Sequence, residues 1–261
     1  MFKFQTGIIG LGHVGSLMKQ LFPNSYVYDI NNSLYNTEDC KQNINNCDIS
    51  FICVPTPESN TGACDTSIVE EALNWCTSNI IVIRSTVPVG FTDLWNQKYN
   101  SHIIFQPEYY GETQSHQFAN PFNRNWITLG GEQTVCQEVA ELYKTVYPSD
   151  ITIHITNAKT AELAKYMENC YYATKVTFCN VFYDIAESFG VNYDELRETW
   201  LLDPRINKDH TMVYKYNRGY GGSCLPKDLA ATVYQSNLNN INIDFLKSIQ
   251  QINKQIREDN K

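Results

Sequence analysis

Near the start of the chain a short apolar run breaks into three glycines, Thr6-Gly-Ile-Ile-Gly-Leu-Gly-His-Val-Gly15. Gly10, Gly12 and Gly15 have the spacing Gly-x-Gly-x-x-Gly. Val14, Leu17, Met18 and Leu21 then recur at helical spacing as far as Pro23, and Tyr26-Val-Tyr-Asp-Ile30 reads as a second strand. Strand, tight turn, helix and parallel strand in that order make a βαβ unit. In such a unit the first glycine makes the turn, the second admits a pyrophosphate, and the third lets helix and strand pack closely. The helix opening at His13 and Val14 offers unpaired N–H groups and the positive end of its dipole to an anion. Asp29, at the end of the second strand, is placed to accept hydrogen bonds from an adenosine ribose. Its charge also repels a 2′-phosphate, and no arginine follows it in Ile30, Asn31 and Asn32. The expected cofactor is NAD rather than NADP.

The pattern of a parallel sheet continues. Asp48-Ile-Ser-Phe-Ile-Cys-Val54 and Asn79-Ile-Ile-Val-Ile83 are largely apolar, as strands covered on both faces should be, with a helix over Glu70 to Trp75 between them. Each runs into a polar loop, Pro55-Thr-Pro57 or Arg84-Ser-Thr-Val-Pro-Val-Gly90. Ligands of open α/β sheets gather at such C-terminal strand ends. Thr56 and Thr86 therefore stand where a ligand would be, although either residue alone suits an ordinary turn. A further strand, His102 to Phe105, delivers Glu108 and Glu112 to the same edge.

Beyond Ile151-Thr-Ile-His-Ile155 the character changes. Residues 157–189 read as one long helix or two abutting ones, capped by Thr156 or Asn157, with Lys165 and Asn169 on one face. Short helices follow at Tyr193 to Trp200, from Lys227 to Tyr234, and at Asp244 to Glu258. The expected fold is α/β: a Rossmann-type dinucleotide-binding domain over residues 1–156, then an all-helical central domain over residues 157–261. Between the helices lies Gly219-Tyr-Gly-Gly-Ser-Cys-Leu-Pro-Lys-Asp228. Its glycines bring backbone close to a ligand at Gly221, and Cys224 has Lys227 and Asp228 beside it. That is the setting of a nucleophile that must meet a substrate, since a nearby cation or helix N-terminus favours the thiolate. A glycine-rich turn with an incidental cysteine is the plainer alternative.

Composition narrows the partners. A net charge of −8 argues against a nucleic-acid partner, and no run approaches the ~18 apolar residues that a membrane span needs. The nine cysteines are odd in number and contain no Cys-x-x-Cys pair, and the five histidines are scattered. Free thiols in a reducing cytoplasm, without a metal site, are the expectation.

Several segments in collinear order give the chain a resemblance to the UDP-glucose/GDP-mannose 6-dehydrogenase family. They are Gly10-Leu-Gly-His-Val-Gly15, Val54-Pro-Thr-Pro57, the Arg84–Gly90 loop, Pro107-Glu-Tyr-Tyr-Gly-Glu112, Lys165 with Asn169, Asp203-Pro-Arg-Ile206 and Gly219 to Asp228. The resemblance implies oxidation of the C6 hydroxyl of a nucleotide sugar to a carboxylate with two NAD⁺ per turnover. It makes Cys224 the nucleophile that forms a thiohemiacetal and then a thioester, with Lys165 and Asn169 stabilising the oxyanion at C6. Glu108 would activate the hydrolytic water, and Thr86 and Asp228 would order water and position the lysine. Gly10, Gly12, His13, Val14, Gly15, Asp29, Thr56, Thr86, Glu112 and Lys227 match cofactor positions. Arg205, Lys215 and Gly221 match positions near the sugar nucleotide, together with Glu108, Lys165 and Asn169. A homodimer joined around the Lys165 helix is expected. Tyr109-Tyr110 stands where the family more often has Phe-Leu, and the chain is expected to lack the family's further nucleotide-sugar-binding domain. Two other readings remain open: a non-catalytic NAD-binding module, and a β-hydroxyacid dehydrogenase of the same fold, which needs no cysteine.

Overall fold

A computed structural model describes residues 4–99, 101–110 and 118–258. The chain forms two compact units, residues 1–57 with 64–165, and residues 58–63 with 166–261.

The first unit is built on a seven-stranded sheet. Its strands are β1 (Thr6–Ile9), β2 (Tyr26–Tyr28), β3 (Ile49–Ile52), β4 (Ile80–Ile83), β5 (Ile103–Phe105), β6 (Trp126–Gly130) and β7 (Thr152–Thr156). They lie in the order β2-β1-β3-β4-β5-β6-β7. All neighbours are parallel except β5 and β6, which meet antiparallel at Phe105 and Gly130. Alternate residues of each central strand feed opposite faces. Ile8, Phe51 and Val82 pack under α1 (His13–Leu21) and α5 (Gln133–Tyr143). Ile9, Ile52, Ile81 and Ile83 pack with Val69 and Leu73 of α3 (Ser67–Trp75) and Trp95 of α4 (Phe91–Tyr99). Both faces being covered explains the near-continuous apolar strands. The order of strands reverses between β1 and β3, and a crevice at such a switch point is where this architecture takes its ligand.

Helix α2 (Glu38–Asn45) is absent from the sequence expectation, and it buries only Ile44. A helix polar on nearly every side shows no period to read. Here Thr37 caps it by accepting from the Cys40 N–H.

The expectation of one long helix or two is settled as one, α6 (Ala158–Ser188), which begins in the first unit and continues into the second. Asn157 is its N-cap, its Oδ1 accepting from the Thr160 N–H at 2.8 Å. At the other end Gly190 takes φ +67°, and the N–H groups of Val191 and Gly190 close on the carbonyls of Ala186 and Glu187. That is a Schellman ending, which stops the helix by satisfying its last acceptors. The second unit adds α7 (Tyr193–Trp200), α8 (Leu225–Leu238) and α9 (Asp244–Glu258). Cys170, Ala173, Tyr220, Leu229 and Ile249 form one of its cores, and Cys179, Ala186, Tyr193 and Val213 another.

Candidate functional site

In the first unit the three glycines behave as their spacing implies. Gly10 has φ +88°, and a Cβ on it would stand 2.8 Å from the Cys53 carbonyl oxygen. A Cβ on Gly15 would stand 1.9 Å from the Gly10 carbonyl oxygen, so α1 lies too close to β1 for any side chain there. Around Gly12, by contrast, no heavy atom comes within 4 Å of that position. Gly12 is the N-cap of α1, without a side-chain cap, and His13 opens the helix exposed. An uncapped helix end beside open space fits a pyrophosphate. Asp29 follows β2, half-buried, and its carboxylate accepts from the Leu11 N–H at 2.5 Å and the Asn31 N–H at 2.8 Å. The glycine turn is thus tied to the acid that would meet a ribose.

Thr56 and Thr86 are both buried at the ends of β3 and β4. The two loops are joined by Ser85, whose hydroxyl donates to the Val54 carbonyl at 2.6 Å. Glu108 stands after β5 and is held by two groups, the Arg84 guanidinium and the Tyr110 N–H. Arg84 is fully buried and also donates to the Pro107 carbonyl at 3.2 Å. Burial pulls the Arg84 pKa down, but Glu108, with Tyr143, Tyr110 and Cys53 adding to it, more than offsets that and holds the guanidinium above its ordinary value. Glu112 lies outside the described residues.

Lys165 is buried at the end of the first unit's stretch of α6, its ammonium 5.1 Å from the Tyr109 ring centroid. Arg124, also buried, lies 4.6–5.6 Å from the ring centroids of Tyr109, Tyr110, Phe118 and Trp126. Arg84 and Tyr109 appeared in the sequence only as members of motifs, with no role of their own, and Arg124 not at all. A charged residue at the end of the apolar strand β4 was the available signal for Arg84.

In the second unit Cys224 is the N-cap of α8, half-buried, with its carbonyl accepting the Asp228 N–H at 3.1 Å. Its thiol therefore sits at the positive end of a fourteen-residue helix. Asp228, one turn on, is buried and holds two donors: Asn169 Nδ2 at 2.5 Å and Lys227 Nζ at 2.5 Å. The structure thus brings Asn169, Lys227 and Asp228 into one network at the helix start that carries Cys224. All nine cysteines are thiols rather than halves of disulfides. Gly221 borders a cavity of about 460 Å³ lined also by Glu58, Tyr220, Pro226, Lys254 and Arg257. Arg205 and Lys215 are exposed; Arg205 pairs with Asp203, and the Lys215 ammonium is 5.9 Å from the Tyr216 ring centroid. Among the described residues no group of three or more His, Cys, Asp or Glu could hold a metal, and no helix is long and apolar enough to cross a membrane.

Residues 23–147 match the NAD binding domain of the UDP-glucose/GDP-mannose dehydrogenase family, and residues 159–255 match its central domain. The chain belongs to this family. Among its relatives, the UDP-glucose 6-dehydrogenase of Rhizobium meliloti (strain 1021) is 32% identical over 212 residues, covering 76% of the chain and 48% of that protein. The enzyme of the same name from Rickettsia typhi is 31% identical over 224 residues, covering 80% of the chain and 50% of that protein. The chain spans about half the length of the curated relatives it matches. Among solved structures, the UDP-glucose dehydrogenase of Pyrobaculum islandicum superposes with a TM-score of 0.83 at 23% identity, covering 96% of the chain and 68% of that structure. The Mycobacterium tuberculosis 3-hydroxyisobutyrate dehydrogenase gives a TM-score of 0.74 at 13% identity, covering 98% of the chain and 94% of that structure. Identities this low speak for the shared fold alone. The match to the NAD binding domain takes in Asp29, Thr56 and Thr86, and the Gly10–Gly15 turn stands just before it.

Proposed function

We propose that this chain oxidises the C6 hydroxyl of a nucleotide sugar, of the UDP-glucose type, to a carboxylate through a covalent intermediate on Cys224. The observation that carries the reading is Cys224 at the start of α8, within one turn of the Asn169–Asp228–Lys227 network, in a central domain of this family. NAD, when bound, accepts a hydride in each of the two oxidations. The first oxidation leaves an aldehyde at C6. Cys224 Sγ adds to its carbon, and the carbonyl oxygen becomes the hydroxyl of a thiohemiacetal. Loss of a second hydride from that carbon and of the hydroxyl proton gives a thioester. Water then adds, the C–S bond breaks, and the thiol returns as the carboxylate leaves. Covalent capture keeps the aldehyde in place for the second step.

The other residues serve the charge that develops at C6. Lys165 and Asn169, one turn apart on α6, hold the oxyanion. Glu108 takes a proton from the attacking water, fixed in place by Arg84 and the Tyr110 N–H. Thr86 orders that water. Gly10, Gly12, His13, Val14, Gly15, Asp29, Thr56, Glu112 and Lys227 serve the cofactor, and Arg205, Lys215 and Gly221 the sugar nucleotide. The alternative reading is an NAD-binding module without turnover.

The test is NADH formation by the purified protein with NAD⁺ and a panel of UDP- and GDP-sugars, with mass spectrometry of Cys224 in quenched samples. Turnover with UDP-glucose, abolished in Cys224→Ser, is expected. Activity surviving that substitution would favour a β-hydroxyacid dehydrogenase, and NAD binding with no NADH from any sugar would favour the module.

The chain is also proposed to form a homodimer through α6. Met167, Tyr171, Phe178 and Phe182 are exposed along that helix and Phe189 just past its end, a stripe that an interface would cover. A monomer by light scattering at micromolar concentration would contradict this.

A further inference from the structure

The backbone leading to Cys224 is held by an asparagine that no sequence motif marks. Asn253, on α9, is 7% exposed and closes two hydrogen bonds on one residue of the loop. Its Oδ1 accepts from the Tyr220 N–H at 2.7 Å, and its Nδ2 donates to the Tyr220 carbonyl at 3.0 Å. The side-chain amide thus pairs with Tyr220 as a neighbouring strand would. The same Oδ1 lies 2.5 Å from where a Cβ of residue 219 would stand, and Gly219 has φ +75°. Only glycine satisfies both conditions. Asn180, on α6, supports the next group back: its Oδ1 accepts from the Gly219 N–H at 3.1 Å and from Arg218 Nε at 3.3 Å.

Three residues separate Tyr220 from Cys224, and Cys224 is itself pinned as the cap of α8. The segment is thus fixed at both ends, by the amide of Asn253 at one and by the helix at the other. We infer that Asn253 is a positioning residue, which sets the path of Gly219–Ser223 and through it the direction in which the Cys224 thiol is presented. The inference rests on the proposed role of Cys224 as nucleophile. The clamp itself can be measured without that role.

Two variants test it. Asn253→Ala removes both bonds and leaves the Tyr220 N–H and carbonyl buried without them. Asn253→Asp keeps an acceptor for the N–H but turns a carboxylate oxygen toward the Tyr220 carbonyl. A free aspartate titrates near ~3.9; burial raises that value, and the Arg257 guanidinium, one turn on along α9 and against Gly221, lowers it. Protonation on acidification toward pH ~4 restores an O–H donor to the carbonyl. The readouts are amide hydrogen exchange as protection factors, and kcat against KM.

In the wild type the Tyr220 amide should be protected. In Asn253→Ala that protection should fall about tenfold or more, from loss of bonds of this kind, with α6 and α8 unchanged. The kcat should fall by a similar factor while the KM for NAD⁺ holds. In Asn253→Asp, protection and kcat, each relative to wild type at the same pH, should recover as the pH falls. An unprotected Tyr220 amide in wild type, or protection lost equally in α6 and α8 on Asn253→Ala, would each overturn the inference. Absence of turnover in wild type would instead remove the proposed function, and the exchange measurements would still decide the clamp.

Discussion

Asp228→Asn is close to isosteric, yet the structure makes it costly. Asp228 presents Oδ2 to Asn169 Nδ2 and Oδ1 to Lys227 Nζ, both at 2.5 Å. An asparagine offers one acceptor, so whichever way its amide turns, an NH2 group faces a donor. The Asp228 side chain is 1% exposed and that of Lys227 19%, so water does little to relieve the mismatch. Breaking a buried pair by removing one partner costs about 3–5 kcal/mol, and the partial exposure of Lys227 brings the expected loss below that range, to about 2–3 kcal/mol. A domain of roughly 100 residues loses about 4–8 °C in Tm per kcal/mol. The melting of the second unit should therefore drop by about 10–20 °C. Circular dichroism gives the transition, and exchange of α8 amides assigns it to that unit. Asp203→Asn is the comparator, because its partner Arg205 is 86% exposed and its loss should leave the transition where it was. The reasoning is refuted if Asp228→Asn melts with the wild type, or if the two variants fall together.

Other consequences concern the first unit. Gly12→Ala should melt as the wild type does and lose NAD affinity in calorimetric titration, because its Cβ enters open space. Gly15→Ala should lower the melting temperature as well, since its Cβ would stand 1.9 Å from the Gly10 carbonyl, an overlap worth at least ~1–3 kcal/mol. Stability should also fall at alkaline pH. Burial pushes the thiols of Cys47, Cys53 and Cys136 up to about 12, whereas an unfolded cysteine titrates near ~8.5. Between those values the folded chain holds protons that the unfolded chain has released, so the unfolding free energy decreases as pH rises through that window. Urea titrations from pH 8 to 10.5 should show a decline that is shallower in Cys53→Ala, and an unchanged slope there would contradict the assignment.

The parts of the molecule legible in the sequence are those whose cause is local. Gly10, Gly12 and Gly15 act on neighbours within a few residues, and Lys165 and Asn169 share a face because a helix repeats. Helix α9 was readable over its whole length from its apolar stripe, whereas α2, with Ile44 alone buried, was not. The strand β6 and helix α5 also escaped the reading, because β6 pairs antiparallel with β5 across an interval that gives no βαβ rhythm. The supports of the site are long-range. Arg84 reaches Glu108 across 24 positions, and Asn253 reaches Tyr220 across 33. An asparagine that binds backbone leaves no complementary side chain to look for, so only coordinates reveal it.

The single long helix α6 has a consequence for how this chain can vary. Successive residues of a helix turn by about 100°, so position along it is also phase around it. The inward positions of Lys165, Asn169 and Asn180 and the outward stripe from Met167 to Phe182 are all fixed by that one count of residues. One residue inserted between Lys165 and Asn169 would swing everything downstream by more than a quarter turn. Substitutions along α6 can be absorbed one at a time, but its length in residues is the quantity that natural variation is expected to leave untouched.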